Sequence, residues 1–551
     1  MRLINVTRPK GLLRLLAGVL LSTILGLAQA RADEGAALAA ALQQLKDTPL
    51  AQMGEAVDTL AAIHDARVPK LLKALLEGQL FYRKSDGKVV TATASDEGYA
   101  ITDALSGESL GSVGRFDVKK LAINNTLRNT LTGAIARLEL TVGDAQQRLR
   151  AVKAMSEGIT EETEQLLRAQ LAAETDPAVR QAIETALALA DLSGEDKEAR
   201  LAAIRSLEGN LDQEVRNRLS ALLETDDEGN FVESDADVRN TADAAVKRIE
   251  FKVQLNQLVE TLFFGLSLGA VLVLSAIGLA ITFGVMGVIN MAHGELMMIG
   301  AYTTYVVQLL MPGALDWSLA VAVPAAFLIS GLFGIAIERG IIRVLYGRPL
   351  ETLLATFGVS LFLQQLVRSI FSPLNRSVST PAWMSGSVEI NSALSLTLNR
   401  LYIVGFSLLV FAALLAILKR TRLGLEVRAV AQNRAMARAM GIRTGWVDAM
   451  TFGLGSGIAG VAGVALSQLT NVGPNLGQAY IVDSFMVVVF GGVGNLWGTL
   501  VGGIGLGVVN KLLEPYAGAV LAKILILVFI IVFIQKRPRG LFPQKGRAVE
   551  G

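Results

Sequence analysis

The sequence lacks cysteine and has almost no histidine, the two side chains most used in thiol and metal chemistry. Its 551 residues contain no cysteine and two histidines, His64 and His293. The absence of thiols excludes disulfides, thiol catalysis and cysteine metal sites, and two histidines are too few for a histidine-rich metal centre. A formal net charge of only +2 gives no indication of a nucleic-acid partner. We therefore expect no metal site and no nucleic acid, and we interpret His64 as structural.

Charge is scarce and unevenly distributed along the chain. Charged residues make up 18% of the sequence and hydrophobic residues 52%. Residues 31–250 are rich in alanine and leucine and carry many charges, whereas residues 257–535 form a series of long apolar runs. A membrane span needs about 20 predominantly apolar residues, and the second half supplies several. The sequence thus predicts a soluble domain over 31–250 and a membrane domain over 257–545.

The first 30 residues have the features of an export signal. Arg2 and Arg8 give a basic start, residues 12–27 are mainly apolar, and Ala28-Gln29-Ala30 fits a small-x-small cleavage site. We expect residues 1–30 to be a signal peptide, and the alternative is a first membrane helix that is not cleaved. Both interpretations place the domain that follows outside the cytoplasm.

Residues 31–250 are expected to form an exported helical domain. Three segments share the pattern Asp-x-x-Val-Arg, at 176–180, 212–216 and 235–239. The aspartate suits a helix N-cap, and the valine is expected to point inward. The pattern resembles HEAT-type helical hairpins, although an ordinary helical bundle also fits. Residues 80–118 differ, because β-branched and aromatic residues around a turn-like Ser-Asp-Gly predict a small β-hairpin insertion.

The second half predicts an all-α, polytopic membrane helix bundle of about eight or nine spans. Two spans that flank residues 491–495 are short and glycine-rich, and they fit either two short helices or a re-entrant pair. Glycines four residues apart, such as Gly265 and Gly269, indicate close helix packing. The candidate spans are residues 257–284, 286–311, 318–345, 352–372, 401–418, 447–470, 481–493, 495–511 and 517–535.

The distribution of arginine and lysine orients these spans, because cytoplasmic loops carry an excess of positive residues. Basic clusters follow the third span at 339–348, the fifth at 419–443 and the last at 536–547. If the first half lies outside, all three clusters lie inside. We therefore predict a multi-pass protein of the bacterial inner membrane with a periplasmic N-terminal domain and a cytoplasmic C-terminus.

Polar residues inside the spans are candidates for a substrate pathway, because ionisable groups at membrane depth are costly and usually functional. In or beside the second span Asn290 and His293 are three residues apart, and they are expected to share a helix face if this segment is helical. A permeant polar molecule needs such donors and acceptors in place of water. The alternative is an inter-helix hydrogen-bond network that only holds the fold. The predicted pathway residues are Asn290, His293, Glu295, Thr356, Ser360 and Gln364.

The basic segment 423–441 is a candidate docking site for a partner. Its alanine-rich sequence predicts one short helix that ends at Gly441, and Met436 and Met440 lie four residues apart on it. Flexible apolar side chains beside charges suit a partner's groove. The alternative is a basic amphipathic helix that lies on anionic lipid. The predicted coupling residues are Glu426, Arg428, Asn433, Arg434, Met436, Arg438, Met440 and Gly441.

Several segments, taken in order, resemble the signature of branched-chain amino-acid ABC permeases. They begin with Gly-Val-Ile-Asn-Met-Ala-His-Gly-Glu at 287–295 and continue at 354–360, 431–441, 490–494 and 537–542. The resemblance covers about residues 257–545 and implies a permease subunit, not an enzyme, in which 431–441 is the coupling helix. The glycine-rich stretch after residue 491 lacks the lysine of a phosphate loop, so we expect no ATP site in this chain.

The added N-terminal domain departs from ordinary amino-acid permeases and is similar to the arrangement of urea ABC transporter permeases, the B-type subunit. This resemblance implies import of urea or short amides by alternating access, without a cofactor in this chain. It also implies the partners: a homologous second permease subunit, two cytoplasmic ATP-binding subunits, a periplasmic substrate-binding protein and membrane lipid. The alternatives are a branched-chain amino-acid permease, an ATP-independent urea channel, and a membrane sensor or scaffold.

Overall fold

A computed structural model describes residues 36–542, apart from 51, 64, 66, 96–97, 157–158 and 228. The predicted signal peptide, His64 and the last basic residues of the tail lie outside the described residues. The chain divides into two compact units, Met1–Ile249 and Glu250–Gly551.

The first unit is mainly helical, and polar side chains cap several of its helices. The Asn124 side chain accepts a hydrogen bond from the Leu127 amide, and Thr160 accepts one from Thr163, which satisfies amides that have no partner within the helix. The helices are α1 (36–47), α2 (Met53–Ala61), α3 (Val68–Leu76), α4 (Asn125–Val142), α5 (Ala145–Ser156), α6 (Glu161–Ala173), α7 (Pro177–Asp191), α8 (Lys197–Leu207), α9 (Gln213–Ala221) and the start of α10 (Ala236–Met286).

The repeated Asp-x-x-Val-Arg pattern lies at helix starts. Asp176 accepts from two backbone amides of the first turn of α7, and Asp235 does the same at the start of α10. Asp212 makes no such bond at the start of α9, so the prediction of an aspartate cap is wrong for that copy. The inward orientation of the valines is confirmed, since all three are buried: Val179, Val215 and Val238.

A buried glutamate precedes the cap by two residues in two of the copies. Glu174 accepts from Arg148 Nε and Nη2, both at 2.8 Å, and from the next two backbone amides at 3.0 Å. These hydrogen bonds, led by those from Arg148, hold the pKa of Glu174 at about 2, below its usual 4.5. Glu233 pairs with Arg200 through the Nη1 atom alone, and it also accepts from the Asp235 amide. Charge-assisted bonds of this kind are stronger than neutral ones, so they fix the loops that lead into the helices.

The predicted β-hairpin insertion is larger than expected and forms a five-stranded antiparallel sheet with the order β4-β3-β2-β1-β5. Its inward side chains, including Val90 and Ile101, form a small core of their own. The strands are β1 (Leu80–Arg83), β2 (Val89–Ser95), β3 (Gly98–Asp103), β4 (Ser109–Val113) and β5 (Val118–Lys120).

The second unit is a bundle of long apolar helices, which confirms the polytopic helical fold. Every predicted span overlaps a helix, and six described helices are long and apolar enough to cross a membrane. A short β-hairpin, β6 (Ser387–Asn391) and β7 (Leu394–Thr397), lies in the loop before α14. The helices are α10, α11 (His293–Leu310), α12 (Leu315–Ile337), α13 (Pro349–Phe371), α14 (Leu398–Arg420), α15 (Arg422–Gln432), α16 (Arg434–Ala439), α17 (Thr444–Ser467), α18 (Leu476–Gly491) and α19 (Leu496–Lys536).

The glycine-rich pair consists of α18 and the first part of α19. The first member is short, at 16 residues, whereas the second continues as far as Gly518, where a φ of 76° interrupts the helix. The predicted span 495–511 therefore lies in the part of α19 before this break, and the last predicted span, 517–535, begins at the break. The expectation of two short helices holds for α18 and is wrong for its neighbour.

Close glycine contacts hold the bundle together. A Cβ at Gly265 or Gly269 of α10 would come within 2.7 Å of the α19 backbone, so larger residues would force the two helices apart. The predicted close packing of these glycines is confirmed. All residues of α17 from Thr451 onward are buried except Leu454, which makes α17 a central helix of the unit.

Candidate functional site

The predicted pathway residues lie where α10 gives way to α11. Gly287 adopts a φ of 70°, a conformation that favours glycine, and the chain stays non-helical until α11 begins at His293. Asn290 therefore lies before the helix, and the prediction that it shares a helix face with His293 is wrong. The polar residues Thr356, Ser360 and Gln364 of α13 are spaced four apart and follow one helix face.

Glu295 is the centre of the resulting cluster. Its Oε1 atom accepts hydrogen bonds from Ser360 Oγ at 3.0 Å and from Gln364 Nε2 at 2.8 Å. Gln364 Nε2 also lies 3.3 Å from Ser360 Oγ. All three side chains are buried, so the face of α13 and the first turn of α11 are joined by hydrogen bonds away from solvent.

Thr356 and Asn290 satisfy the backbone of the non-helical turn. Thr356 Oγ1 accepts from the Met291 amide at 3.2 Å, and Asn290 Oδ1 accepts from the Ala292 amide at 3.0 Å. Both side chains are buried. Buried backbone amides need such partners, so these two residues allow an irregular segment to exist inside the bundle.

The cluster still carries one free acceptor and one free donor. The Oε2 atom of Glu295 and the Nδ2 atom of Asn290 are buried and have no hydrogen-bond partner among the described residues. Buried polar atoms are normally paired. An acceptor and a donor left open in one cluster are suited to a small polar molecule that has lost its water.

His293 is placed apart from this cluster. Its Nε2 atom lies 2.8 Å from the carbonyl oxygen of Ser275 on α10, and the Ser275 hydroxyl accepts from Ser484 of α18 at 2.9 Å. His293 is completely buried. The structure thus joins Glu295, Ser360 and Gln364 by direct hydrogen bonds. It places Thr356 and Asn290 at the adjoining turn and the histidine at a junction of α10, α11 and α18.

The predicted coupling helix is two helices. Asn433 lies between α15 and α16 in an extended conformation, and its Oδ1 atom accepts from the Met436 amide at 2.9 Å. The prediction of one helix over 423–441 is therefore wrong, because the asparagine cap starts a new helix. Gly441 follows α16 with a φ of 87°, which confirms it as the residue that ends the helix.

The two methionines of this segment are exposed. Met436 is 60% exposed and Met440 is 78% exposed, while Ala437 between them is buried. The charged residues instead make local contacts. Those contacts are Arg434 with Asp448 of α17 and the ring of Tyr346, Glu426 with Arg422, Arg428 with the Leu418 carbonyl, and Arg438 with Thr444.

Comparison with known proteins identifies the family. A family model described as the permease component of the branched-chain amino acid transport system matches residues 261–534. The high-affinity branched-chain amino acid transport system permease protein LivH of Salmonella typhimurium is 33% identical over 294 residues, which cover 51% of this chain and 94% of LivH. The chain belongs to the branched-chain amino acid permease family. The predicted resemblance to these permeases is confirmed, and the chain is a transporter subunit rather than an enzyme.

Other relatives differ in the cargo that their names state. BraD of Pseudomonas aeruginosa, a high-affinity branched-chain amino acid transport system permease protein, is 30% identical over 297 residues, 52% of this chain and 95% of BraD. The ribose import permease protein RbsC of Escherichia coli is 26% identical over 294 residues, 51% of this chain and 87% of RbsC. No solved structure matches. These names give no support to urea, so the branched-chain amino acid alternative fits the permease better.

The permease unit also contains an ion pair whose lysine was not predicted from the sequence. Asp483 of α18 lies within the predicted span 481–493, and Lys523 of α19 lies 2.9 Å from its Oδ2 atom. The signal in the sequence is a single lysine within the apolar run 519–535. Among the described residues no group of three or more His, Cys, Asp and Glu side chains is placed to hold a metal ion.

Proposed function

We propose that the chain is the membrane permease subunit of an ABC importer for branched-chain amino acids. The family supports the permease role, and the names of LivH and BraD support the cargo. The observation that carries the proposal is the buried cluster around Glu295, which keeps one acceptor and one donor open. Its neutral partners on α13 fix the carboxylate while leaving Oε2 available.

The chemistry of the cluster suits a zwitterion. The free Oε2 atom of Glu295 accepts from an ammonium group, and the free amide of Asn290 donates to a carboxylate. A buried charged hydrogen bond of this kind is stronger than a neutral one. Because α13 supplies Ser360 and Gln364, movement of α13 relative to α11 changes the hydrogen bonds that position Glu295. The affinity for the cargo then differs between the two states, as alternating access requires.

The energy comes from partner subunits in this proposal. ATP bound by two cytoplasmic subunits favours one arrangement of the complex over the other, and the exposed methionines of α16 transmit the movement. A homologous second permease subunit completes the pathway, and a periplasmic binding protein delivers the cargo. The basic clusters near α12 and α16 lie on the cytoplasmic side, which leaves the first unit in the periplasm.

Urea is the second candidate cargo. The observation that favours it is the first unit, which ends at Ile249 and so lies outside the family match that begins at residue 261. This arrangement is similar to that of urea transporter permeases. Neutral urea needs hydrogen-bond partners rather than charge partners, and the cluster also offers these.

Uptake by the complete complex decides between the two cargoes. Vesicles that hold all subunits are supplied with ATP and with labelled leucine or labelled urea. We expect ATP-dependent uptake of leucine and little uptake of urea. Uptake of urea without leucine would reverse the assignment, and ATP-independent urea flux would indicate a channel.

The role of the cluster is tested with a matched pair on α13. Gln364→Leu removes a hydrogen bond to Glu295, whereas Gln365→Leu changes the same side chain at the next position, which is exposed. We expect uptake to fall at least tenfold for Gln364→Leu and for Asn290→Leu, with the complex still assembled. Equal uptake by the two glutamine variants would favour a purely structural network.

A further inference from the structure

A polar pocket lies beside α16. It is bounded by the end of α12, by α16 and by the first turn of α17, and its volume is about 640 Å³, within the range of sites for small molecules. Its charged and polar lining includes Glu338, Arg343, Tyr346, Arg434, Arg438 and Asp448. None of these side chains belongs to the cluster around Glu295, so the pocket is a separate feature of the permease.

One wall of the pocket is a π-helical turn, Glu338–Ile342, that continues α12. Such turns are rare and frequently lie at functional sites. Glu338 is only 1% exposed, and its Oε2 atom has no hydrogen-bond partner within the described chain. Arg339 Nε lies 3.6 Å from that atom, too far for a hydrogen bond. An unpaired buried carboxylate oxygen is costly, and a cationic group in the pocket would satisfy it.

The arginines of the pocket are only partly engaged. Arg434 is held by Asp448, with its Nη1 atom 3.0 Å from Oδ1. Arg438 donates to Thr444 at 3.4 Å, and Arg343 forms no ion pair with any residue that the structure describes. Planar guanidinium groups bind carboxylates through paired hydrogen bonds. The pocket therefore offers two arginines to an anionic group and one carboxylate to a cationic group.

We propose that this pocket binds a free amino acid as a zwitterion. The ammonium group donates to Glu338, and the carboxylate accepts from Arg343 and Arg438. A simple anion is repelled by the buried Glu338 carboxylate, and a simple amine gains nothing from the two exposed arginines, so both bind less well than the zwitterion. The remaining volume accepts an apolar side chain beside Tyr346.

The position of the pocket makes it a regulatory site. Arg434 and Arg438 line the pocket from α16, whereas Met436 and Met440 lie about 200° and 240° from Arg434 around the helix axis, on the side away from the pocket. A ligand that holds Arg438 therefore restrains the helix that docks the ATP-binding subunit. This role rests on the proposed function: imported amino acid that accumulates in the cytoplasm binds here and slows further import.

Direct binding tests the site. The full chain carries Glu295→Gln to remove binding at the cluster on α13, is placed in lipid nanodiscs, and is dialysed against labelled leucine. We expect Glu338→Gln and Arg343→Gln each to weaken binding at least tenfold, and Arg348→Gln, an exposed arginine paired with Glu351, to have no effect. We also expect 4-methylpentanoate and 3-methylbutylamine to compete at least tenfold less well than leucine. Equal affinity in all variants overturns the site.

Uptake tests the regulation. Vesicles with the complete complex are loaded with unlabelled leucine, and the initial rate is compared with that of empty vesicles. We expect lumenal leucine to slow the wild-type complex at least threefold and the Glu338→Gln complex not at all. Leucine uptake that is equal in loaded and empty wild-type vesicles overturns the regulation and leaves the proposed function intact. An absence of leucine uptake overturns the proposed function. The dialysis experiment alone then decides whether the pocket binds leucine.

Discussion

The docking role of α16 leads to a quantitative prediction. The double substitution Met436→Glu with Met440→Glu places two carboxylates where the proposal requires apolar contacts with the ATP-binding subunit. Both methionines are exposed, at 60% and 78%, so the variant is expected to fold like the wild type. The side of the helix that carries Arg434 and Arg438, and the buried Ala437, are unchanged.

The size of the effect follows from the exposed area. Burying a whole methionine side chain stabilises by about 1.5–3 kcal/mol, and the exposed fractions scale this to roughly 1–2 kcal/mol for each residue. The pair then contributes about 2–4 kcal/mol to binding, which corresponds to a dissociation constant about 30- to 700-fold weaker. Burial of two unpaired carboxylates adds to the loss.

The assay is a titration of the ATP-binding subunit against the full chain in nanodiscs, with co-purification as a second readout. The matched control replaces two exposed apolar residues of the first unit, Phe116 and Val232, by glutamate. We expect the control to bind like the wild type. If the methionine variant binds as tightly as the control, α16 does not dock the ATP-binding subunit, and the alternative of a helix lying on lipid gains support.

Three further predictions concern side chains that stabilise the fold. Arg434→Ala leaves a buried carboxylate of α17 without its partner and should cost about 3–5 kcal/mol; an unchanged thermal midpoint in detergent would contradict this. His293→Ala removes a buried hydrogen bond to the Ser275 carbonyl, which keeps its backbone partner within α10, and should cost about 0.5–1.5 kcal/mol for that bond, while uptake per assembled complex stays near wild type; a specific loss of uptake would return His293 to the pathway. Because the folded-state pKa of Glu174 is about 2 and its ordinary value is 4.5, its stabilisation, on the order of 3 kcal/mol, is present above pH 4.5 and lost as the pH falls through 2. Pepsin digestion across this range should show that the wild-type protein becomes less resistant to cleavage as the pH falls. The Glu174→Gln variant should be less resistant than the wild type already at pH 4.5.

The sequence was sufficient to predict the elements that depend on local pattern. Each apolar run of span length overlaps a helix of the structure, and the spacing of Thr356, Ser360 and Gln364 agrees with their common face on α13. The break at Asn433 was missed because helix propensity favours alanine-rich segments, while a single asparagine can cap a new helix through its own side chain. The Asp176 motif was predicted correctly for the same reason, since its cap is local.

Features that depend on residues distant in the sequence could not be predicted from local sequence pattern. The pairing of Asp483 with Lys523 joins residues 40 positions apart, and no helical period connects them. The π-turn at Glu338 has an ordinary helical sequence around it, and tertiary packing sets its geometry. The five-stranded sheet was underestimated because three of its strands have only three to five residues and carry too little alternation to be recognised.

The irregular turn between α10 and α11 links the movement of α13 to the entry of water. The Met291 amide is satisfied by Thr356, a residue of α13, so separating α13 from α11 removes the acceptor of a partly buried backbone donor. Inside a membrane protein such a donor must be satisfied again, and water entering the gap is the simplest replacement. In the proposed mechanism, opening and hydration of the cluster are therefore one event, and the cargo meets a wet site when α13 has moved away and a dry one when it has returned.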